Sequence, residues 1–476
     1  MLSEKYKTMA APVKASLWYT VCNVLNKSIA LLSMPVFTRI LTEEQYGSFA
    51  IFQSWYSIIL IFTSLNIFMG SFSKGLLAFE EQKERFTSSL MGLSVTVTSF
   101  WFVLYLAAPR FWNNVFELNT VLMLAMFAEL FTVPALELWA AKKRFDYQYR
   151  EYVIISILQS IISLGLGIAA VLLTKYKLEA RVFTDVFARV VFAAPLLVLL
   201  FFRGKTFFHK KYWKCAVLFN IPLLPHYLSN YILTQSDRIM IGKMAGDTQA
   251  AYYSVAYTIS TVAVLIVTAI NNSLTPYIYK KIHSGNSGDV KKAANPIILM
   301  IAALCLLTMV FAPEIITLFA GKNYADAIYV VPPVAASVFF IFLYSLFSTV
   351  EYYHQKTGRI AIATMAAAVI NVVLNYICIP AFGYHAAGYT TLASYIILSI
   401  AHYIFYRAVI KETGDARMYD ERVILILSTA VLVAAVVLAA TYQFAIVRYA
   451  FAASLVIIGV LLRGRLVGVL HLLKRS

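Results

Sequence analysis

Runs of about 20 predominantly apolar residues recur along this chain from end to end, and a helix of that length crosses a hydrocarbon core of roughly 30 Å. They lie near 15–38, 46–70, 88–108, 119–141, 153–174, 183–202, 216–242, 251–274, 293–312, 327–350, 360–381, 387–407, 422–442 and 445–462. Continuous stretches such as AVLVAAVVLAA at 430–440 read as helix; the strands of a transmembrane barrel would alternate in character over roughly ten residues. With 61% hydrophobic and 13% charged residues, the chain has too little polar surface to dissolve as a globule. The expectation is an all-α polytopic membrane protein of about 14 transmembrane helices.

Lysine and arginine gather in cytoplasmic loops, so their distribution sets the orientation. Both termini and the connections around 71–87, 142–152, 203–215, 275–292, 351–359 and 408–422 carry about 29 basic residues, the opposite loops about 9. Both ends are therefore expected in the cytoplasm, in a multi-pass protein of the cell (cytoplasmic or inner) membrane. The same loops account for nearly all of the +17 net charge, so the basic balance reports topology. Nucleic acid is excluded as a partner, because no soluble stretch is long enough to form a basic domain. Cys22, Cys215, Cys305 and Cys378 are isolated, with neither a CxxC pair nor metal-like grouping. The first apolar run is too long for a signal-peptide core and lacks a small-residue cleavage pattern, so it is expected to remain as a helix.

One polar interruption, RILTEEQYGSFA at 39–50, returns as KMAGDTQAAYYS at 243–254, at an offset of 204 residues. At that offset Arg39 meets Lys243, Glu43 meets Asp247, Gln45 meets Gln249, Phe49 meets Tyr253, Asn26 meets Asn230 and Pro109 meets Pro313. Six spans followed by six similar spans suggest two parallel repeats. The domains expected are an N-terminal six-helix lobe over 1–202, a cytoplasmic linker over 203–215, a C-terminal six-helix lobe over 216–411, and two additional helices with a basic tail over 412–476. Gly47 and Gly246 suit a tight turn after each lobe's first helix. The charges beside them read mainly as a solvated turn that fixes helix ends.

The segments SMPVFTRILTEEQYGSFAIFQSW, ending span 1, and SDRIMIGKMAGDTQAAYYSVAYTI, at 236–259, carry a resemblance. Both are similar to recurring segments of the oligosaccharide (O-antigen, Wzx-type) flippases, in the superfamily that also holds multidrug exporters and the lipid II flippase. The resemblance covers the whole chain as a pattern and includes no catalytic signature. It implies two lobes around a central cavity that opens alternately inward and outward, and no cofactor beyond a coupling ion, H+ or Na+.

Charges that cannot reach water mark the interior. Lys27 lies about twelve residues, roughly 18 Å, from either end of its span, farther than a lysine stem reaches. Ser16, Thr20, Asn23 and Lys27 fall on one helix face, and Asn26 stands beside them. Span 7 answers with His226, Asn230, Thr234 and Asp237 on one face, next to Arg238. Lys27, Asn23, Asn26, Arg189, His226, Asn230, Asp237 and Arg238 are the expected substrate-cavity residues. Asp185 and Arg189 form an i,i+4 pair, and Glu129 near the middle of span 4 has no such neighbour, so Glu129 and Asp185 are the candidates for ion coupling. Glu137 and Glu351 lie closer to the cytoplasmic ends, where interfacial water should solvate them. Pro222 and Pro225 should kink or unwind span 7. The tail RGRLVGVLHLLKRS reads as an interfacial segment or an extension of span 14.

An enzyme, such as a membrane glycosyltransferase or polymerase, needs positioned acids, bases or a metal on accessible loops, and the external loops offer only scattered Glu117, Glu179 and Asp326. A multidrug or cation antiporter would favour an acidic cavity, whereas Lys27, Arg189 and Arg238 favour an anion. The leading expectation is a flippase for an undecaprenyl-diphosphate-type lipid-linked oligosaccharide, used in cell-surface polysaccharide biosynthesis. Membrane lipids surround it, and polymerase or glycosyltransferase partners are compatible with that role. A lipid II flippase is the alternative within the superfamily.

Overall fold

The computed structural model describes residues 9–457, which form helices joined by short turns, with no strand among the described residues. The chain divides into two compact units, one ending at Tyr231 and the other starting at Ile232. The first contains α1 (Ala11–Ile40), α2 (Glu43–Ser64), α3 (Gly70–Ala78), α4 (Lys83–Ala107), α5 (Pro109–Phe116), α6 (Thr120–Phe145), α7 (Tyr149–Leu173), α8 (Lys177–Gly204) and α9 (Lys210–Asn220). The unit boundary falls inside α10 (Leu224–Ala245). Then come α11 (Asp247–His283), α12 (Val290–Val310), α13 (Ala312–Phe319), α14 (Val331–Tyr353), α15 (Thr357–Phe382), α16 (Ala386–Thr413), α17 (Glu421–Thr441) and α18 (Ala445–Ile457).

Twelve of the described helices are long and apolar enough to cross a membrane. The two expected spans outside that set are informative. Span 14 ends beyond residue 457, outside the described residues, as does the basic tail. Span 7 is broken as its prolines predict: α9 passes through a single 3-10 turn at Ile221–Leu223 into α10, because Pro222 and Pro225 each lack the amide that would continue the α ladder. With His226, Asn230, Gln235, Asp237 and Arg238 along it, α10 is too polar to score as a spanning helix.

The repeated polar interruption is a pair of helix boundaries. α2 begins at Glu43 and α11 at Asp247, one offset apart, and each places an acid against the positive end of the helix dipole. Thr42 and Gln45 close a reciprocal capping box, the Gln45 amide donating to Thr42 Oγ1 at 3.2 Å and the Thr42 amide to Gln45 Oε1 at 3.1 Å. Pro109 and Pro313 likewise open two eight-residue helices, α5 and α13. The glycine reading needs correcting. Gly246, with φ of 109°, makes the second turn as expected, but Gly47 is buried within α2, and the first turn is made by Leu41 and Thr42.

Residues 203–215 pack into the first unit: Tyr212 is fully buried against Phe79 and Phe86 and donates its hydroxyl to Gln82. Gly92 on α4 lets this segment approach so closely that a Cβ there would lie 1.9 Å from the Phe207 carbonyl oxygen. Gly92→Val should therefore force backbone apart and cost roughly 1–3 kcal/mol. A lower melting temperature of the detergent-purified protein checks this, and Gly165→Ala, with open space at that position, is the neutral control. In the second unit, buried Arg448 clamps α18 by donating to both Glu314 oxygens at 2.9 and 2.8 Å and to the Val310 carbonyl at 3.0 Å.

Candidate functional site

Four helices of the first unit contribute to an ion network that an apolar bundle would not otherwise hold. Arg189 on α8 pairs with Glu129 on α6 and, at 2.9 Å, with Asp185 one turn back. Arg181 lies 3.6 Å from the other Asp185 oxygen. Gln53 on α2 completes the set, donating to Asp185 at 2.8 Å and accepting from Arg189 at 3.1 Å. Ser163 on α7 donates to Asp185 at 2.6 Å. The Arg181 guanidinium sits over the rings of Phe37 at 4.2 Å and Phe49 at 4.4 Å, a cation–π clamp between α1 and α2. Two cations and two carboxylates cancel, so the network is neutral, and burial makes each partner dependent on the others.

Beside it lies a cavity of about 380 Å³ walled by α1, α2, α6, α7, α8 and the first half of α10. Its walls include Asn26, Tyr56, Ser57, Glu137, Tyr152, Gln159, Ser160, Arg189 and Tyr231. A second cavity of about 220 Å³ shares Asn26, Gln159, Ser160 and Arg189 with it. Asn26 joins α1 to α7 by donating to Ser156 at 2.6 Å and accepting from Ser160 at 3.0 Å. Glu137 is half-buried and has neither ion pair nor hydrogen bond among the described residues. An apolar cavity of about 250 Å³, walled by Trp55, Phe62, Trp101, Trp112 and Phe127, occupies another part of the same unit.

The second unit holds a different arrangement. Asp237 on α10 is fully buried and accepts hydrogen bonds from Asn375 at 2.6 Å, from Thr391 at 2.6 Å and from the Tyr253 hydroxyl. Asn371 extends the cluster, its side-chain amide donating to Thr391 at 3.2 Å, and Thr390 donates to Asn375. Neutral groups surround this carboxylate, and no cation is paired with it among the described residues. Arg238, its neighbour in sequence, turns away to the Thr234 carbonyl at 2.8 Å, Gln235 at 3.0 Å and the face of Tyr257 at 4.5 Å.

Of the residues expected in one substrate cavity, Asn26 and Arg189 meet. Lys27 and Asn23 are exposed on α1, and Lys27 has no ion pair among the described residues, which removes the alternative of a structural lysine–acid pair. His226 and exposed Asn230 contact each other, with the Asn230 amide 3.4 Å from His226 Nε2. Asp237 does not share their open face; it is enclosed in the second unit. Glu129 does have a neighbour, Arg189, contributed by another helix. Two carboxylates set aside as interfacial also need correcting. Glu351 is fully buried, 2.7 Å from His402 Nδ1, and Glu137 lines the polar cavity. Arg181 went unnoticed although it stands four residues before Asp185, as Arg189 stands four after. The Asn371–Asn375 spacing of four inside an apolar run was a similar signal.

A family model described as "Polysaccharide biosynthesis protein" matches residues 13–282, more than half of the chain. The chain belongs to the polysaccharide biosynthesis protein family. A MatE model also matches residues 222–377 of this family member. An "Uncharacterized membrane protein" of Haemophilus influenzae is 20% identical over 75% of this chain and 88% of its own length. The "Probable low-salt glycan biosynthesis flippase Agl15" of Haloferax volcanii is 20% identical over 37% of this chain and 38% of its own. Among solved structures, the lipid II flippase MurJ in an inward-closed conformation superposes with a TM-score of 0.68 at 13% identity, over 94% of this chain and 99% of that one. An inward-facing multidrug-resistance MATE transporter superposes at 0.63 and 14% identity, over 81% and 95%. This member of the polysaccharide biosynthesis protein family is thus a multi-pass membrane protein that shares its fold with the lipid II flippase MurJ and the MATE transporter.

Proposed function

We propose that this protein flips a polyprenyl-diphosphate-linked oligosaccharide from the inner to the outer leaflet of the cytoplasmic membrane by alternating access, with both termini in the cytoplasm. The observations that carry the reading are an exposed, unneutralised cation, Lys27, midway along a spanning helix, and, in the same unit, a polar cavity whose walls have the amides, hydroxyls and aromatic rings a sugar requires. The diphosphate is drawn to Lys27, the saccharide occupies polar surface, and the lipid tail stays in the bilayer. Family membership and the likeness to a glycan-biosynthesis flippase support the same substrate class. Glu129 and Asp185 are satisfied by arginines, so a coupling cation acts more naturally at Asp237, the buried carboxylate without an ionic partner.

The test is reconstitution into vesicles loaded with polyprenyl-diphosphate-N-acetylglucosamine and assayed for exposure of the sugar to an added lectin. Protein-dependent movement is the expected result. Absence of movement in vesicles where the same preparation exports a cationic drug would replace this reading with the antiporter one.

A further inference from the structure

Glu137 is the one carboxylate on the wall of the polar cavity, and it has neither ion pair nor hydrogen bond among the described residues. Arg189, the other charged wall residue, is spent on Glu129, Asp185 and Gln53. Arg181 and the two acids belong to the same neutral network. Arg144 is exposed, seven residues along α6, with its guanidinium 5.6 Å from the ring of Tyr152. Seven residues place it on the same helix face as Glu137 but about 10 Å nearer the helix end, where solvent screens it. Among the cavity's wall residues the unbalanced charge is therefore negative, while the cation Lys27 stands outside that wall on α1.

The other wall groups are of a consistent kind. Tyr152 and Tyr231 contribute aromatic rings to the wall, Gln159 and Asn26 amides, and Ser57 a hydroxyl, around a volume at the lower end of the roughly 300–1,000 Å³ of small-ligand sites. Aromatic faces suit the apolar side of a pyranose ring, and a carboxylate is the strongest available acceptor for its hydroxyls. We infer that this cavity is a saccharide subsite, that Glu137 accepts hydrogen bonds from hydroxyl or amino groups of the sugar it holds, and that the subsite admits neutral or amino-bearing sugars and rejects acidic ones. The inference rests on the flippase reading and adds to it a rule about which glycans enter: a uronate would bring a second carboxylate against Glu137, and like charges in a confined site repel strongly.

Native mass spectrometry of the detergent-purified full chain tests this with three probes: bare polyprenyl diphosphate, and polyprenyl diphosphate carrying N-acetylglucosamine or glucuronic acid. The wild-type protein is expected to bind the N-acetylglucosamine lipid at least about tenfold more tightly than the glucuronic acid lipid. Glu137→Gln, an isosteric change, should bring the two within about threefold, chiefly by admitting the acidic sugar, with bare polyprenyl diphosphate unaffected. Glu137→Asp keeps the charge and should keep the discrimination while weakening the neutral sugar, so it reports even where the glutamine variant folds poorly. A wild-type protein with no preference between the sugar lipids, or a glutamine variant that keeps the full wild-type preference, overturns the inference and leaves the flippase reading standing. Failure of all three lipids to bind overturns both.

Discussion

Arg189→Leu is expected to lose most of its folded protein. The substitution removes the cation shared by Glu129, which is 0% exposed, and Asp185, leaving two buried carboxylates with Arg181 alone at 3.6 Å from one of them. Breaking a buried ion pair from one side typically costs about 3–5 kcal/mol. Gln53 would lose its acceptor role at the same time, so the damage reaches α2 as well as α6 and α8. Thermal melting of the purified protein, together with its accumulation in the membrane, measures the effect. The double variant Arg189→Leu/Glu129→Leu should recover much of the loss, because it removes the orphaned charge along with its partner and leaves Asp185 paired with Arg181. A single variant that melts like the wild type would mean that the network contributes nothing to holding these helices together.

Lys27→Ala is expected to do the reverse, cutting transport at least about tenfold while accumulation and melting temperature stay at wild-type values, since a lost charge–phosphate contact of ~1.4 kcal/mol is a factor of ten. The contrast follows from its surroundings: Lys27 is exposed and has no acid paired with it, so its removal orphans nothing. Lys27→Arg should retain much activity, because a diphosphate accepts hydrogen bonds from either cation. The vesicle assay with polyprenyl-diphosphate-N-acetylglucosamine reads the transport, and bare polyprenyl diphosphate should show the same dependence on Lys27, since the contact is to phosphate. Full transport by a stable Lys27→Ala protein would remove Lys27 from the substrate path. The two variants thus separate charges that hold the bundle together from those left available to a ligand, a distinction that composition does not contain.

Much of the architecture was legible because its causes are local. A run of 20 apolar residues must satisfy its own backbone in lipid, so helix is dictated segment by segment. The offset of 204 residues showed where helices begin, since Glu43 and Asp247, like Pro109 and Pro313, are chosen by the chemistry of helix starts. The break at Pro222 and Pro225 was visible for the same reason: a missing amide is a property of the residue itself. Gly47 misled because glycine serves both turns and close helix packing, and only the neighbours decide which.

The site was legible only in inventory. Sequence alone listed most of the intramembrane charges, since cost in hydrocarbon marks each of them whatever its neighbours, but Arg181 fell just outside the expected span and Glu137 and Glu351 near the ends of theirs. Which charges gain partners, and of what kind, was decided by tertiary structure: Glu129 and Arg189 are separated by 60 positions, Glu351 and His402 by 51, and Asp237 and Thr391 by 154. Electrostatic energy depends on distance through space and on burial, and neither is encoded by spacing along a chain except within one helix. The i,i+4 pair of Asp185 and Arg189 could therefore be read beforehand, while the solitary state of Glu137 and Lys27 could be known only once the helices around them had been packed.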